Sequence, residues 1–340
     1  MKTNKKKLTL KDVADACGVS PTAVSLVLNN RESNISKATK EKIIRVANEM
    51  NYQFNNVARS LAIQKTNTIG IIIPDISNAF FSESIRYMQT ELHKQGYEVI
   101  LCNSEEKFAS DIKYLNLLLS RQVDGIIMTV SSESMENENW KKIKAILDNN
   151  GTPHVLFDRY FPGDEAKVSL DNESSAYHLT YYLIKNGHTK IGLITGPMTL
   201  NSSKGRLEGA KRAIIENGLK FDEKNVFYGK YDIETGRLGA EHLFGKVTAI
   251  FSFNDLQAYG VMEKARERNI KIPQDVSLIG FDDIFYSSIL ETKLTTVKQP
   301  LEKMSRAASN LLVELIDNAN KKKNLSFAGK FIIRDSVIKH

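Results

Sequence analysis

Residues 10–30 read LKDVADACGVSPTAVSLVLNN, and their apolar residues recur at helical spacing on both sides of Gly18. Ser20 followed by Pro21 is typical of a helix start, because a cap precedes a first helical residue whose missing N–H costs nothing there. Gly18 permits the positive backbone dihedral of a tight turn, and Ala14 is small where two helices would cross. The stretch therefore predicts a helix-turn-helix.

A third helix is needed to stabilise this pair. Helices of about eight residues are marginal in water on their own, so they must pack on another element. Residues 36–52, SKATKEKIIRVANEMNY, place four apolar residues on one helical face, and Ser36 is a suitable N-cap. The sequence thus predicts an all-α unit of three helices.

Positive charge is concentrated in this first part of the chain. Residues 1–65 hold 12 Lys and Arg against 5 Asp and Glu, whereas the rest of the 340 residues holds 35 of each. A basic module on a neutral body is what binding to a phosphate backbone requires, because cationic side chains displace condensed counterions. This distribution indicates a nucleic-acid partner.

Cysteine, histidine and hydropathy patterns exclude other classes. Cys17 and Cys102 lie in different predicted domains and suggest neither a disulfide framework nor a metal site, and the six histidines have no metal-ligand spacing. We expect no metal and no cofactor. The N-terminal lysines are not followed by an apolar run, and the longest aliphatic run, 69–73, is too short to span a bilayer. These patterns predict a cytoplasmic protein without a membrane partner.

The rest of the chain alternates short aliphatic runs with longer amphipathic stretches. Eight candidate strands begin with TIGIIIP (68–74) and end with LTTVKQP (294–300), and helices fit between most of them. Continuous apolar runs indicate strands covered on both faces, which is typical of parallel sheets with crossover helices. The body is therefore predicted to be α/β and doubly wound.

Polar and aromatic side chains follow several of these strands, at the sheet edge where ligands of such folds bind. They are Asn78, Phe80, Phe81, Asp158, Arg159, Asn254, Asp282 and Gln299. Carboxylates accept hydrogen bonds from vicinal hydroxyls, arginine donates to oxygens, and aromatic rings cover the C–H faces of a sugar. The set favours a polyol-binding site and requires no chemical step.

Two other classes of protein, an enzyme and a transport binding protein, are disfavoured by the sequence. An enzyme such as a sugar kinase or dehydrogenase is disfavoured, because the sequence has neither G-x-G-x-x-G nor G-x-x-x-x-G-K-[ST]. A transport binding protein would suit the predicted site, but the basic N-terminal module and the lack of an export signal disfavour it. We therefore predict that the protein is not an enzyme.

Several stretches, in order along the chain, resemble the lactose-repressor (LacI/GalR) family of bacterial transcription regulators. They include TLKDVADACGVSPTAVSLVLN, VARSLA, TIGIIIPDISNAFF, NGHTKIGLITGP, FSFNDLQAYG and VSLIGFDD. The resemblance implies an all-α helix-turn-helix headpiece (1–54), a hinge helix and linker (55–66), and a periplasmic-binding-protein-like α/β core (67–340). The core would comprise two doubly wound parallel-sheet subdomains, the N-subdomain at about 67–160 plus 300–325 and the C-subdomain at about 161–299 plus 326–340.

The resemblance also implies a homodimer that binds a near-palindromic operator, and hence a nucleoid-associated protein. The implied DNA-contacting residues are Thr9, Ser20, Pro21, Thr22, Ser25, Leu26, Asn29, Asn55, Arg59 and Leu61. Pro21, Thr22 and Leu26 would read bases, and Leu61 would wedge into the minor groove and bend the duplex. The family commonly has Arg or His where this chain has Leu26, so a strong donor to guanine is missing and no operator sequence is implied.

A ligand pattern extends the resemblance into the core. Ten residues match the ligand positions of the periplasmic ribose-binding pattern: Asn78, Phe80, Phe81, Asp158, Arg159, Arg206, Tyr231, Asn254, Asp282 and Gln299, with Tyr231 where that pattern has Phe. The implied function is a sugar-responsive repressor of a carbohydrate uptake or catabolism operon, with ribose as the effector controlling the hinge helices. Another pyranose or a purine is the alternative effector.

Overall fold

The structure, a computed structural model, describes residues 8–28, 33–52, 65–163, 166–318, 321 and 323–340. Two compact units divide the chain, one within Met1–Thr66 and one within Asn67–His340. The fold class predicted from the sequence is confirmed: helices of a helix-turn-helix unit are followed by a core of parallel sheets flanked by helices.

The first unit contains α1 (Leu10–Cys17), α2 (Pro21–Leu28) and α3 (Lys37–Glu49). Thr9 and Asp12 form a reciprocal capping box at the start of α1, which satisfies two otherwise unpaired backbone N–H groups. Gly18 ends α1 at φ 68°, the left-handed conformation that glycine adopts without steric cost. The tight turn expected at Gly18 is therefore present.

A small apolar core holds the three helices together. Each helix contributes a side chain with no solvent exposure, Val13 and Ala14 from α1, Val24 from α2 and Ile43 from α3. The Lys42 Nζ of α3 donates to the Cys17 carbonyl at 3.0 Å, which satisfies an acceptor at the end of α1. Packing against α3 thus supplies the burial that two short helices lack.

The second unit alternates strands and helices. Its first elements are β1 (Thr68–Ile73), α4 (Ala79–Lys94), β2 (Glu98–Asn103), α5 (Phe108–Ser120), β3 (Gly125–Met128), α6 (Trp140–Asn150), β4 (His154–Phe157) and β5 (Lys167–Leu170). There follow α7 (Asn172–Lys185), β6 (Ile191–Ile194), α8 (Asn201–Glu216), β7 (Val226–Phe227), α9 (Ile233–Leu243), β8 (Ala249–Ser252), α10 (Asp255–Glu267) and β9 (Ser277–Ile279). The last are β10 (Thr296–Lys298), α11 (Leu301–Asp317), β11 (Asn324–Phe327) and β12 (Lys330–Ile332), and among the described helices none has the length and apolarity to cross a membrane.

One sheet has six parallel strands in the order β11-β5-β4-β3-β1-β2. Successive residues of β1 are buried on opposite faces: Ile71 joins the apolar cluster that includes Met88 of α4, and Ile72 joins the cluster that includes Leu115 of α5. Helices therefore cover both faces, which explains why this strand is a continuous apolar run.

A second sheet has four parallel strands in the order β7-β6-β8-β9. Single bridges from Ile279 to Thr295 and from Asp282 to Lys298 extend it toward β10, which pairs antiparallel with β12. The carboxyl ends of β8, β9 and β10 consequently lie beside one another.

The subdomain boundary differs from the sequence-based expectation. Residues 161–170 were expected in the C-subdomain, but β5 pairs with β4 and with β11 in the six-stranded sheet. Residues 326–327 were expected in the C-subdomain as well, and they belong to β11 of that same sheet. Both strands join the sheet through long-range pairing that local sequence patterns do not encode.

Two glycines allow α9 and α10 to cross closely. A Cβ on Gly236 would lie 2.0 Å from the Gln257 carbonyl oxygen, and a Cβ on Gly260 would lie 2.0 Å from the Ile233 carbonyl oxygen. The Gln257 Nε2 donates to the carbonyls of Thr195 and Lys230 at 2.8 and 2.7 Å. The crossing therefore fixes α10 against the loops that precede α9 and follow β6.

Replacing Gly236 by alanine should destabilise the protein. Although alanine favours a helix by about 1 kcal/mol, the added methyl forces the two backbones apart, so we expect a net loss of about 2 kcal/mol in the free energy of unfolding. Urea denaturation followed by circular dichroism measures this change. Leu238→Ala, on the same helix at a half-exposed position, is the control and should change stability by less than about 1 kcal/mol; equal losses would contradict the packing argument.

Candidate functional site

A cavity of about 450 Å³ lies at the carboxyl ends of the strands of both sheets in the Asn67–His340 unit. All ten residues that the sequence grouped as effector-binding line it: Asn78, Phe80, Phe81, Asp158, Arg159, Arg206, Tyr231, Asn254, Asp282 and Gln299. The volume lies in the range of small-molecule sites, roughly 300–1,000 Å³. The structure thus brings together residues that are more than 200 positions apart in the chain.

Two asparagines occupy helix N-termini at the cavity wall. Asn78 caps α4, its Oδ1 accepting from the Phe80 amide at 3.0 Å. Asn254 caps α10 in the same way, accepting from the Gln257 amide at 2.9 Å, while the Asn254 Nδ2 donates to the Tyr231 carbonyl at 3.3 Å. Both side chains are therefore held in place by backbone groups that helix starts leave unpaired.

Two carboxylates follow strands, in backbone conformations with positive φ. Asp158 follows β4 at φ 63°, and Asp282 lies three residues beyond β9 at φ 115°. The Asp282 Oδ1 accepts from the Gln299 Nε2 at 2.7 Å. In the described structure, Asp158 Oδ1 and Gln299 Oε1 are buried without a hydrogen-bond partner, so both can accept from a bound molecule.

Two buried guanidinium groups face these acids. Arg159 donates from Nη1 and Nη2 to the two carboxylate oxygens of Glu106, each at 2.9 Å, and its Nε lies 4.0 Å from Asp158 Oδ2. Arg206 donates from Nε to Asn172 Oδ1 at 2.8 Å and from Nη1 to the Phe253 carbonyl, and its Nη2 lies 3.7 Å from Asp282 Oδ1. Their positions are fixed by protein acceptors.

Burial shifts the acidity of the two cavity carboxylates. Desolvation raises the pKa of Asp158, against the opposing charges of Arg159 and Arg206. Desolvation, together with the nearby carboxylate of Asp255, raises the pKa of Asp282 to about 8. A ligand that donates hydrogen bonds to these oxygens favours their ionised forms.

Aromatic rings complete the cavity. Phe80 and Phe81 pack edge to face with centroids 5.0 Å apart at the start of α4. The Tyr231 hydroxyl donates to Ser202 and accepts from Ser203, both on α8, which fixes its ring. Such rings suit the C–H faces of a sugar and equally the faces of a flat base.

Sequence reasoning missed Glu106. It lies in the loop between β2 and α5, and its Oε2 also accepts from the Ser132 amide at 2.6 Å. The position follows a strand, as the other polar residues do, so the strand-end rule applied to residues 97–103 would have found it.

A third buried acid, Asp255, does not line the cavity but holds neighbouring elements together. Its Oδ2 accepts from the Ile284 amide at 3.0 Å and the Ser287 hydroxyl at 2.6 Å, and its Oδ1 accepts from Thr296 Oγ1 at 2.8 Å. Asp255 thereby connects α10 to β10 and to the loop after Asp282. Complete burial raises the pKa of Asp255 to about 7.

The described DNA-contact candidates lie at the starts of α1 and α2 and, for Ser25 and Leu26, within α2. Thr9 caps α1, and Ser20 Oγ accepts from the Ala23 amide at 3.1 Å at the start of α2. Ser20, Pro21 and Thr22 are exposed, whereas Ser25 and Leu26 are half-buried. Asn29, Asn55, Arg59 and Leu61 lie outside the described residues.

Comparisons with known proteins cover both units. A family described as bacterial regulatory proteins, lacI family, matches residues 9–55, and one described as periplasmic binding protein-like domain matches residues 180–337. The HTH-type transcriptional repressor PurR of Vibrio campbellii is 34% identical over 337 residues, covering 97% of this chain and 99% of the relative.

Solved structures show the same architecture. A LacI family transcriptional regulator from Enterococcus faecium with bound ribose has a TM-score of 0.72 and 29% identity over 80% of this chain and 99% of its own. The Lac repressor dimer bound to operator and the anti-inducer ONPF has a TM-score of 0.87 over 98% of this chain and 100% of its own, and at 23% identity this likeness concerns the fold alone.

Asp255 should make stability depend on pH. An aspartate ionises near pH 3.9 in the unfolded chain and near pH 7 here, so the folded state binds more protons between these values and stability falls as pH rises. We expect a loss of roughly 2 kcal/mol between about pH 5 and pH 8, and a smaller slope in Asp255→Asn, whose amide can still hydrogen-bond to Thr296 and Ser287. Urea denaturation at several pH values measures both slopes, with Asp148→Asn on the surface as control. An unchanged slope in Asp255→Asn would contradict the assignment.

Proposed function

The chain belongs to the lacI family of bacterial regulatory proteins, and on that basis we propose that it is a repressor that binds operator DNA as a dimer and responds to a small molecule in the cavity. Like its relatives, which are named as transcriptional regulators, it is a DNA-binding transcriptional regulator and not an enzyme. The observation that supports a small-molecule effector is the cavity at the carboxyl ends of both sheets, which is lined by buried polar groups.

The structure of the helix-turn-helix unit supports the proposed binding of operator DNA. The N-terminus of α2 presents Ser20, Pro21 and Thr22 to solvent, while the opposite side of this helix is buried through Val24 and Val27. A helix exposed in this way can enter a major groove with its N-terminal residues at base edges. The excess of seven positive charges within residues 1–65 supplies the non-specific attraction to phosphate.

Ribose is the effector that the cavity chemistry favours. The ten effector-binding candidates in the lining combine two carboxylates and two guanidinium groups with three amide side chains, which suits a small molecule having a hydroxyl on most of its carbons. The Enterococcus faecium regulator with bound ribose shares this fold and 29% of its residues. The regulated operon would then serve carbohydrate uptake or catabolism.

A purine is the alternative effector, and the named relatives favour it over ribose. Relatives named PurR match nearly the whole chain at 32–34% identity, and the rings of Phe81 and Tyr231 can contact a flat base. The two buried carboxylates, Asp158 and Asp282, distinguish the candidates, because a polyol offers more hydroxyl donors to carboxylates than a base offers N–H donors.

The effector would act through a difference in affinity between two arrangements of the core. Asp158 and Arg159 follow β4 of the six-stranded sheet, whereas Arg206 lies on α8 and Asp282 follows β9 of the second sheet. A ligand that bridges both groups stabilises the arrangement that brings them together, and it shifts DNA affinity only as far as the two arrangements bind it unequally. Most of the predicted hinge helix, which would transmit this change, lies outside the described residues.

Thr22→Ala should weaken operator binding selectively. Operator sites can be selected from genomic fragments and then measured by fluorescence anisotropy. We expect specific affinity to fall about tenfold because a base contact is lost, and non-specific affinity to stay constant because phosphate contacts remain. Wild-type affinity should drop by about 10³ between roughly 50 and 200 mM salt. Equal loss on both kinds of DNA would contradict the role of Thr22.

Asp158→Asn should weaken effector binding by at least about tenfold, because its buried Oδ1 is exchanged for a group of different charge and hydrogen-bonding character. Calorimetric titration of the full chain with ribose, other pentoses and hexoses, hypoxanthine and guanine measures this effect and identifies the effector. Asp148→Asn, on the surface of α6, is the control. Binding of a purine but not ribose would favour the second candidate, and unaltered operator affinity at saturating effector would contradict the regulatory role.

A further inference from the structure

Glu106 neutralises one of the two buried cations of the cavity. Its two carboxylate oxygens accept from the two terminal nitrogens of Arg159, each at 2.9 Å, in the fork geometry by which arginine binds phosphates and carboxylates. Arg159 Nη1 donates additionally to the Val130 carbonyl at 3.0 Å. The end of the guanidinium group that would bind an anionic ligand is therefore occupied by the protein itself.

The second buried cation is occupied too. Arg206 uses Nε and Nη1 on Asn172 and on the Phe253 carbonyl, and its Nη2 lies near Asp282. The face of this guanidinium covers the Phe281 ring at 3.7 Å from its centroid. The donors that remain suit single hydrogen bonds to a hydroxyl or carbonyl.

Acidic residues outnumber basic ones around the cavity. The described lining holds eight acids: Asp75, Glu105, Glu106, Glu133, Glu136, Asp158, Asp232 and Asp282. It holds four bases: Lys107, Arg159, Arg206 and Lys230. Lys107 lies 3.1 Å from Glu105, so even this rim cation is paired. Asp282, whose pKa is raised to about 8, is largely uncharged at neutral pH, but the other acids still outnumber the bases. Such a lining repels anions both on approach and after binding.

We propose that the effector is an uncharged molecule, that phosphorylated sugars and nucleotides are excluded, and that Glu106 sets this selectivity by occupying Arg159. The proposal rests on the proposed function in assuming that the cavity is the effector site. It holds for ribose and for a free purine, and it distinguishes both from their phosphorylated forms. Glu106 is a positioning residue, because it acts through the guanidinium group.

Inorganic phosphate tests the exclusion without knowledge of the effector. We expect millimolar phosphate, at constant ionic strength, to leave the melting temperature of the wild-type full chain unchanged. In Glu106→Gln the unpaired Arg159 should bind phosphate, so the melting temperature should rise with phosphate concentration. Glu106→Asp keeps the charge and should behave as wild type, whereas Glu241→Gln removes the partner of Arg268 from a forked surface pair and serves as control.

Calorimetry with matched pairs tests the selectivity itself. Wild type should bind ribose over ribose 5-phosphate, or hypoxanthine over inosine 5′-monophosphate, by about 100-fold, and Glu106→Gln should reduce that ratio about tenfold. Phosphate stabilisation of the wild type, equal binding within a pair, or an unchanged ratio in Glu106→Gln would overturn the proposal. If neither neutral molecule binds, the proposed effectors fail, while the phosphate experiment still decides the role of Glu106.

Discussion

Charge buried away from water is the constraint on which the cavity depends. Four ionisable side chains of its lining, Asp158, Arg159, Arg206 and Asp282, are less than a tenth exposed. Moving such groups out of water costs several kcal/mol each unless partners compensate. The fork between Glu106 and Arg159 supplies that compensation for one of the two guanidinium groups, and Asn172 and the Phe253 carbonyl supply it for Arg206. The polar framework is therefore pre-organised, which lowers the cost of ordering it on binding.

The two sheets bring Asp158 and Asp282 to the same cavity, and both residues have strained backbone conformations there. Asp158 and Asp282 both adopt positive φ angles, which cost a non-glycine residue on the order of 1 kcal/mol. Their amides pair with neighbouring strands: Asp158 N–H donates to the Val168 carbonyl at 2.8 Å, and Asp282 N–H donates to the Val297 carbonyl at 2.9 Å. Edge hydrogen bonds thus hold both carboxylates in conformations that the chain would otherwise avoid.

The reliance of the cavity on strand ends explains how much of the fold and of the site could be predicted from the sequence. Continuous apolar runs such as 68–73 reveal parallel strands, and the parallel topology places their carboxyl ends together, so eight of the ten cavity residues could be grouped without coordinates. Arg206 and Tyr231 follow no predicted strand directly, and only the family resemblance placed them with the others. The strand β5 is only four residues long and is interrupted by serine, so it has no such signature. Its partner strand β11 lies more than 150 residues later in the sequence. Glu106 escaped because a polar pair before an amphipathic stretch resembles an ordinary helix start.

The distribution of hydrogen-bond partners also decides which residues can transmit a signal. A ligand changes the balance between two arrangements only through contacts that differ between them, with each factor of ten requiring about 1.4 kcal/mol. Asp158 Oδ1 has no partner within the described structure, so a ligand donor there adds a new interaction. The terminal nitrogens of Arg159 already donate to Glu106, and a ligand would merely replace that carboxylate. Asp158 is therefore suited to respond to the effector, whereas the pair of Glu106 and Arg159 stabilises the cavity wall.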